Sequence, residues 1–364
     1  MVAELVVHFP VYRIYPVGGV RSAEDERYFS QALDAARASL ARADHVVLDQ
    51  VAQWFGGKLP DDAQNAPAER GHTQAQPGQN PPPSTGSQHR VAQTLFSQLT
   101  SPVAAKALED TTCYRYGCFI SRNEVGADPG ELSLSVEQFH EGNAQRFAAF
   151  PHAMLCTATH DHKRGEDVRA HIAALSQIFD EWAATLRQWS TLNTPLRRGL
   201  GGSHGETSEN GDWAPGSAAE AMLYQTLVGC WPLTLAPDDE AGVHELAERV
   251  AQWQLKALRE AKLRTSWFAP DEAYENACKD FLFDIVAPQR HEGFLRELSV
   301  FGARLGPLGA INSLQQTLLR LTSPGVPDLY QGTDLWDFSL VQSGRSGQSP
   351  SGRLRVAPPM ARGN

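Results

Sequence analysis

Residues 159 to 167, Thr-His-Asp-His-Lys-Arg-Gly-Glu-Asp, place three carboxylates (Asp161, Glu166, Asp167) and two imidazoles (His160, His162) within nine positions. Such a run admits three chemistries. His160 and His162 are alternate residues, so on an extended segment their imidazoles face one way and could share a zinc ion. No third ligand has an identifiable home in the text. The second reading is glycoside chemistry, in which one carboxylate attacks the anomeric carbon and another protonates the leaving oxygen. A further Asp beside a His can then hold sugar hydroxyls and stabilise the charge that develops at that carbon. Asp161, with His160 next to it, suits this supporting role. The third reading is a solvated charged loop, the default for so short a motif. Glu166 and Asp167 fit the first turn of a helix, where acids face the N-terminal dipole.

The elements that position this run are legible on both sides of it. The apolar text "PHAMLCTATHD" from position 151 reads as a short buried strand. Three-four periodicity then predicts helices over 166–190, 217–229, 239–263, 271–284 and 291–320, with Trp182, Trp189 and Trp253 on their core faces. A last apolar run, "LLRLTSPGVPDLYQG", ends in Pro and Gly. Two strands, each followed by a polar loop, thus bracket a long helical excursion. In a (β/α)8 barrel the loops after the strands carry the chemistry, which makes 157–164 and 323–334 candidates for one site. The fold class expected is α/β: an incomplete TIM-type barrel, represented by its last strands, with a large, mainly helical insertion. Tyr12, Tyr114, Tyr116, Tyr330, Trp267 and Trp336 lie in loop-like text, where aromatic rings could stack on sugar faces.

The expected organisation runs as follows. Residues 1–56 supply a barrel-associated strand, "ELVVHFPVYRIY", and helices that start at a Ser cap and end at Phe55. Residues 57–90, rich in Pro, Gly and Gln, read as a disordered loop. Residues 91–165 hold a helix at "VAQTLFSQL", extended pieces with turns in "DTTCYRYGCFISRNEVGADPG", a Ser-capped helix after Leu134, and the His-Asp loop. Residues 166–320 form the helical subdomain, 321–341 the last strand and its loop, and 342–364 a tail without hydrophobic periodicity.

Bulk properties bound the function. The 364 residues are 41% hydrophobic, enough for a sizeable core. A net charge of −10 argues against nucleic acid as a partner. Five dispersed cysteines without C-x-x-C spacing read as reduced thiols. Neither a secretory signal nor a bilayer-length apolar run is present, so the working class is a soluble cytoplasmic protein with no membrane partner.

Further text carries a resemblance. "HAMLCTATHDHKRGEDVRA" resembles the fourth conserved region of the α-amylase superfamily (glycoside hydrolase family 13), in the variant of the maltooligosyltrehalose synthase family. "FPVYRIY", "AKALEDTTCYRYGCFISRNEVGADP", "FDEWAATLRQWSTLN", "LYQTLVGCWP", "LKALREAKLRTSWFAPDEAYE" and "LTSPGVPDLYQGTDLWDFSLV" are similar to segments of that family, in order. The resemblance covers most of residues 1–341. It implies a mutase of trehalose biosynthesis that turns the reducing-end α-1,4 linkage of a maltooligosaccharide into an α,α-1,1 linkage. No nucleotide, redox cofactor or metal is implied, and the pathway would be shared with maltooligosyltrehalose trehalohydrolase.

On that resemblance Asp161 is the transition-state stabiliser and His160 its hydroxyl-binding neighbour, with Lys163, Arg164, Tyr330, Tyr12 and Arg13 as further substrate-binding residues. The nucleophile and acid/base belong to motifs that precede "FPVYR" in the family and do not occur in this sequence. The expectation is therefore a C-terminal part of a larger enzyme, inactive alone and partnered by an N-terminal half. From Gln342 onward the residues are read as out-of-frame translation. Two alternatives are a non-catalytic glucan-binding fragment and an α-1,4-glucan hydrolase of the same superfamily.

Overall fold

The computed structural model describes residues 1–17, 20–55, 85–128, 130–131, 133–200, 213–333 and 335–340. They divide into two compact units, one ending at Leu108 and the other beginning at Glu109. The boundary falls inside the stretch 91–165 that the sequence groups together. Residues 57–84, expected to be disordered, and the tail 342–364, expected to be out of frame, lie outside the described residues.

The first unit is helical. Helix α1 (Val2–Val7) replaces the expected strand at "ELVVHFPVYRIY". The β-branched residues there favour a strand, but the helical turn carries Leu5 to full burial beside Phe29 and Phe96, and packing overrides propensity. Ser22 opens α2 (Ala23–Ser39) through a capping box with Asp25. Helix α3 covers His45–Phe55, and α4 (Thr85–Ala104) begins within the stretch read as a disordered loop. Phe96 on α4 is the hub of this core, stacked by Phe55 at 4.5 Å and met edge-on by Phe9 at 5.4 Å.

From Ala105 to Thr112 the chain winds as π-helical turns, the last of which, from Asp110, take the place of the first of the expected extended pieces. The reason is a helical face: Asp110, Cys113 and Tyr114, three and four residues apart, are all buried. Helix α5 (Val136–Ala149) follows with a Ser135 capping box closed by Gln138. Then comes β1 (Met154–Leu155), paired in parallel with β4 (Val326–Pro327) in the register Met154 to Val326 and Leu155 to Pro327. Among the described residues this pair is exposed rather than buried, with Met154 at 66% and Val326 at 46%. Gly325, at φ +140°, lets β4 approach: a Cβ there would lie 2.7 Å from the Ala153 carbonyl.

Between the two strands run α6 (Glu166–Ala174), α7 (Phe179–Asn193), α8 (Ser217–Cys230), α9 (Glu240–Ala261), α10 (Glu272–Ile285) and α11 (Pro288–Thr322). A two-residue antiparallel pair, β2 (Arg198–Gly199) with β3 (Trp213–Ala214), interrupts them. These helix bounds follow the three-four periodicity, except that the helix expected over 166–190 is broken by a 3-10 turn at Leu175–Ile178 into α6 and α7. The described chain is mainly helical, with strands of two residues each. Helix α8 is apolar nearly all round and correspondingly buried. Trp189 centres the core, in edge contact with Trp182, Tyr224, Phe294 and Phe301, while its indole N–H donates to Glu297 at 2.9 Å. Replacing Trp189 by Ala is expected to cost ~3–5 kcal/mol, read from urea denaturation of the full chain; a loss within error would remove Trp189 from the core.

Candidate functional site

The loop after β1 is fixed from below by acids that come from outside it. Glu124, buried at 3%, accepts the Lys163 backbone N–H at 2.5 Å and the Arg164 N–H at 3.2 Å, one on each carboxylate oxygen. Arg169 lies 3.9 Å from the same carboxylate. The Lys163 ammonium, fully buried, donates to Asp110 at 2.9 Å and to the Asp161 carbonyl at 3.2 Å. Arg164, also buried, donates to the carbonyls of Ile120 and Asn123, each at 3.3 Å, and lies over the Trp253 ring at 5.7 Å. Burial lowers the pKa of both arginines, and Glu124 opposes that shift.

These contacts occupy Lys163 and Arg164, which the resemblance implied as substrate-binding residues. Their charges are engaged inside the second unit, because Asp110 and the 120–123 carbonyls offer partners that a buried cation requires. His162 also turns to structural use: its Nδ1 accepts from the Thr159 N–H at 2.9 Å and meets the Thr159 hydroxyl at 2.8 Å. Burial, with Arg169 nearby, pulls its pKa down from 6.5 to about 4. The Thr159 N–H thus occupies the Nδ1 lone pair of His162 that a metal would otherwise take. Among the described residues no group of three or more His, Cys, Asp or Glu is placed to hold a metal.

The helix that follows is fastened at both of its first acids. Gly165 donates to the Ser339 carbonyl at 2.8 Å and leaves no room for a side chain, since a Cβ would meet the Asp337 carbonyl at 2.5 Å. Glu166, in the first turn as expected, pairs with Arg320 at 3.2 Å. Asp167 accepts from the Ser313 hydroxyl at 2.5 Å and the Asp337 N–H at 2.6 Å, and burial holds its carboxyl above the usual range.

What remains at the tip is His160, exposed, and Asp161, half-buried. Among the described residues no hydrogen bond or ion pair engages the Asp161 carboxylate. Lys256 on α9, which sequence reading missed, is half-buried, its pKa lowered by burial and by Lys163 and raised by Asp110, Glu260 and Asp161. Its only sequence signal is a Lys on an otherwise core-facing helix turn.

Tyr330 starts the turn after β4, half-exposed, with Gln331 in the left-handed region at φ 55°. The parallel register of β1 and β4 sends this turn and the His-Asp loop from the same strand ends. Asp334 lies outside the described residues. Of the other aromatic candidates, Tyr114 is core and Trp336 stacks on Phe338 at 6.0 Å. The Trp267 indole donates to Glu260, and Tyr116 is exposed. Tyr12 and Arg13 are exposed on the first unit, where Arg13 lies over Tyr15 at 5.0 Å.

Two measurements test this anchoring. Glu124→Gln removes the shared counter-charge of two buried arginines and is expected to cost ~3–5 kcal/mol, read from denaturant midpoints; an unchanged midpoint would sink Glu124 as the anchor. For His162, a folded-state pKa of about 4 against 6.5 means the unfolded chain takes the proton first. Its contribution is therefore complete above pH 6.5 and lost as pH falls toward 4. Stability-pH curves of the parent and His162→Thr should converge at acid pH; parallel curves would contradict this.

No family model matches the sequence. Among curated relatives, a putative maltooligosyl trehalose synthase of Mycobacterium tuberculosis (strain ATCC 25618 / H37Rv) is 35% identical over 265 residues, 72% of this chain and 31% of the relative. Among solved structures, maltooligosyltrehalose synthase from Arthrobacter ramosus is 30% identical with a TM-score of 0.66, covering 93% of this chain and 36% of that one. A hypothetical maltooligosyl trehalose synthase of Sulfolobus tokodaii gives a TM-score of 0.63 at 26% identity, over 97% and 38% of the two chains. The chain thus spans about a third of the length of the relatives it matches. With this likeness in sequence and fold together, the chain belongs to the maltooligosyltrehalose synthase family.

Proposed function

We propose that β1 and β4 are the last two strands of a (β/α)8 barrel with helices α6 to α11 inserted between them, and that Asp161 stabilises the transition state of an intramolecular transglucosylation. One observation carries the reading: at the tip of a loop whose other charged side chains mostly serve the fold, Asp161 is left half-buried and without a partner among the described residues, beside an exposed His160. A site assembled at such expense in buried acids has a carboxylate to present. Tyr330 joins from the neighbouring strand end, and Tyr12 and Arg13 remain candidates for binding substrate. Lys163 and Arg164 act here by holding the loop, and Lys256 places a cation near Asp161.

The reaction would rearrange the reducing-end α-1,4 linkage of a maltooligosaccharide. A carboxylate attacks the anomeric carbon while an acid protonates the departing 4-hydroxyl oxygen of the last glucose. The 1-hydroxyl of that same glucose then attacks the glycosyl ester, returns its proton to the former acid, and forms the α,α-1,1 bond. Charge builds at the anomeric carbon in both steps, where Asp161 would oppose it. We assign neither the nucleophile nor the acid/base to this sequence. Both would lie on a complementary polypeptide, so that this chain alone is inactive; the product would pass to maltooligosyltrehalose trehalohydrolase in the cytoplasm.

Because an α,α-1,1 linkage has no reducing end, the activity is read as loss of reducing power from maltopentaose. The isolated chain should show none. A mixture with a polypeptide supplying the rest of the relatives' length should, and Asp161→Asn should lower that rate ~10²–10³-fold. Loss of reducing power by the isolated chain would refute the need for a partner, and a gain would favour an α-1,4-glucan hydrolase.

A further inference from the structure

Helix α9 carries one charge that the fold leaves unspent. The helix is pinned beside the His-Asp loop at both ends of its last turns: the Trp253 ring lies 5.7 Å from the Arg164 guanidinium, and the Ala261 carbonyl accepts from Arg115 Nε at 2.6 Å. Lys256 stands between these contacts, about one turn after Trp253. Its side chain is half-buried, within electrostatic reach of Lys163, Asp110, Glu260 and Asp161. Three of these neighbours are themselves joined, since the Lys163 ammonium lies 2.9 Å from Asp110 and 3.2 Å from the Asp161 carbonyl. Lys256 is thus set against the side of the loop that carries Asp161.

A half-buried ammonium ordinarily finds an acceptor. Two of its neighbouring acids are engaged elsewhere: Asp110 holds Lys163, and Glu260, one turn along the same helix, accepts from the Trp267 indole at 3.0 Å. Among the described residues no hydrogen bond or ion pair engages the Lys256 ammonium, and it is not sealed from the surface. Asp161 is the third acid, and its carboxylate is equally without a partner among the described residues. A donor-only ammonium and an acceptor-only carboxylate therefore stand near each other without pairing. Sugar hydroxyls fit between such groups, because each can donate to the carboxylate and accept from the ammonium. We propose, on the place given to Asp161 above, that Lys256 is a substrate-binding residue whose ammonium donates to a hydroxyl of the same glucose unit that Asp161 engages. A cation opposes the positive charge that grows at the anomeric carbon, so Lys256 acts through hydroxyls, in binding, and leaves charge stabilisation to Asp161. In the mixture, Lys256→Met should raise KM for maltopentaose roughly tenfold to a hundredfold with kcat nearly unchanged, the worth of a hydrogen bond to a charged group. Lys256→Arg, which keeps a cationic donor, should recover most of that loss.

The deciding experiment needs no variant. Lysines of the full chain, alone and mixed with a polypeptide supplying the rest of the relatives' length, are acetylated and followed residue by residue by mass spectrometry. Maltopentaose should slow acetylation of Lys256 saturably and leave Lys279, exposed on α10, unaffected. Cellopentaose, whose linkages are β-1,4, should protect neither. Lys256 unprotected in both preparations, slowed no more than Lys279, or protected equally by cellopentaose overturns the proposal, as does a Lys256→Met mixture with the KM of the parent. The outcome separates this assignment from the reaction proposed above. Protection of Lys256 without loss of reducing power supports the binding residue and sinks the mutase reading, whereas loss of reducing power with Lys256 unprotected does the reverse.

Discussion

Everything in the second unit that bears on chemistry depends on one carboxylate. Glu124 sits beneath the His-Asp loop and takes two consecutive backbone N–H groups, from Lys163 and Arg164, on its two oxygens. Backbone amides so held cannot drift, and the residues just before them inherit that rigidity. Burying the acid is unfavourable unless cations accompany it, and Arg164 and Arg169 supply that charge. The same arrangement that fixes the loop therefore dictates which basic residues must point inward. His160 and Asp161 are outward-lying by the same constraint.

The helical excursion serves this constraint from a distance. Helix α9 brings Trp253 under Arg164, and α11 brings Arg320 and Ser313 to the two acids that open α6. The short strands contribute direction more than stability: two residues each, they align the His-Asp loop with the turn at Tyr330. Membership of the maltooligosyltrehalose synthase family rests on sequence and fold together, while the chemistry follows from what the loop leaves available.

Much of this was legible in the sequence, for identifiable reasons. Helices α8 to α11 carry apolar residues at regular spacing, so their bounds could be read closely, while the break between α6 and α7 left no mark in that spacing; Trp182, Trp189 and Trp253 fell in the core as their spacing implied. Ser22 and Ser135 announced their helices through local hydrogen bonding, which sequence encodes directly. The errors share another cause. Helix α1 looked like a strand because β-branched residues express local preference, whereas Leu5 answers to a distant Phe96. The family resemblance implied substrate contacts for Lys163 and Arg164, whereas their side-chain partners here, Asp110 and the carbonyls of Ile120 and Asn123, lie 41 to 53 residues away. Nothing local marks a buried ion pair between distant segments.

Gly165 holds a further consequence. Its N–H is bonded to the Ser339 carbonyl, and Asp337 fills the space where a side chain would stand. The chain leaves this point and returns to it after the whole run from α6 to α11, so the excursion is closed at its base like a purse at its drawstring. Closing a loop costs only logarithmically more as it lengthens. The helical region is thus free to grow or shrink at its connections over evolutionary time without moving the His-Asp loop, provided that the knot itself keeps a residue with no side chain.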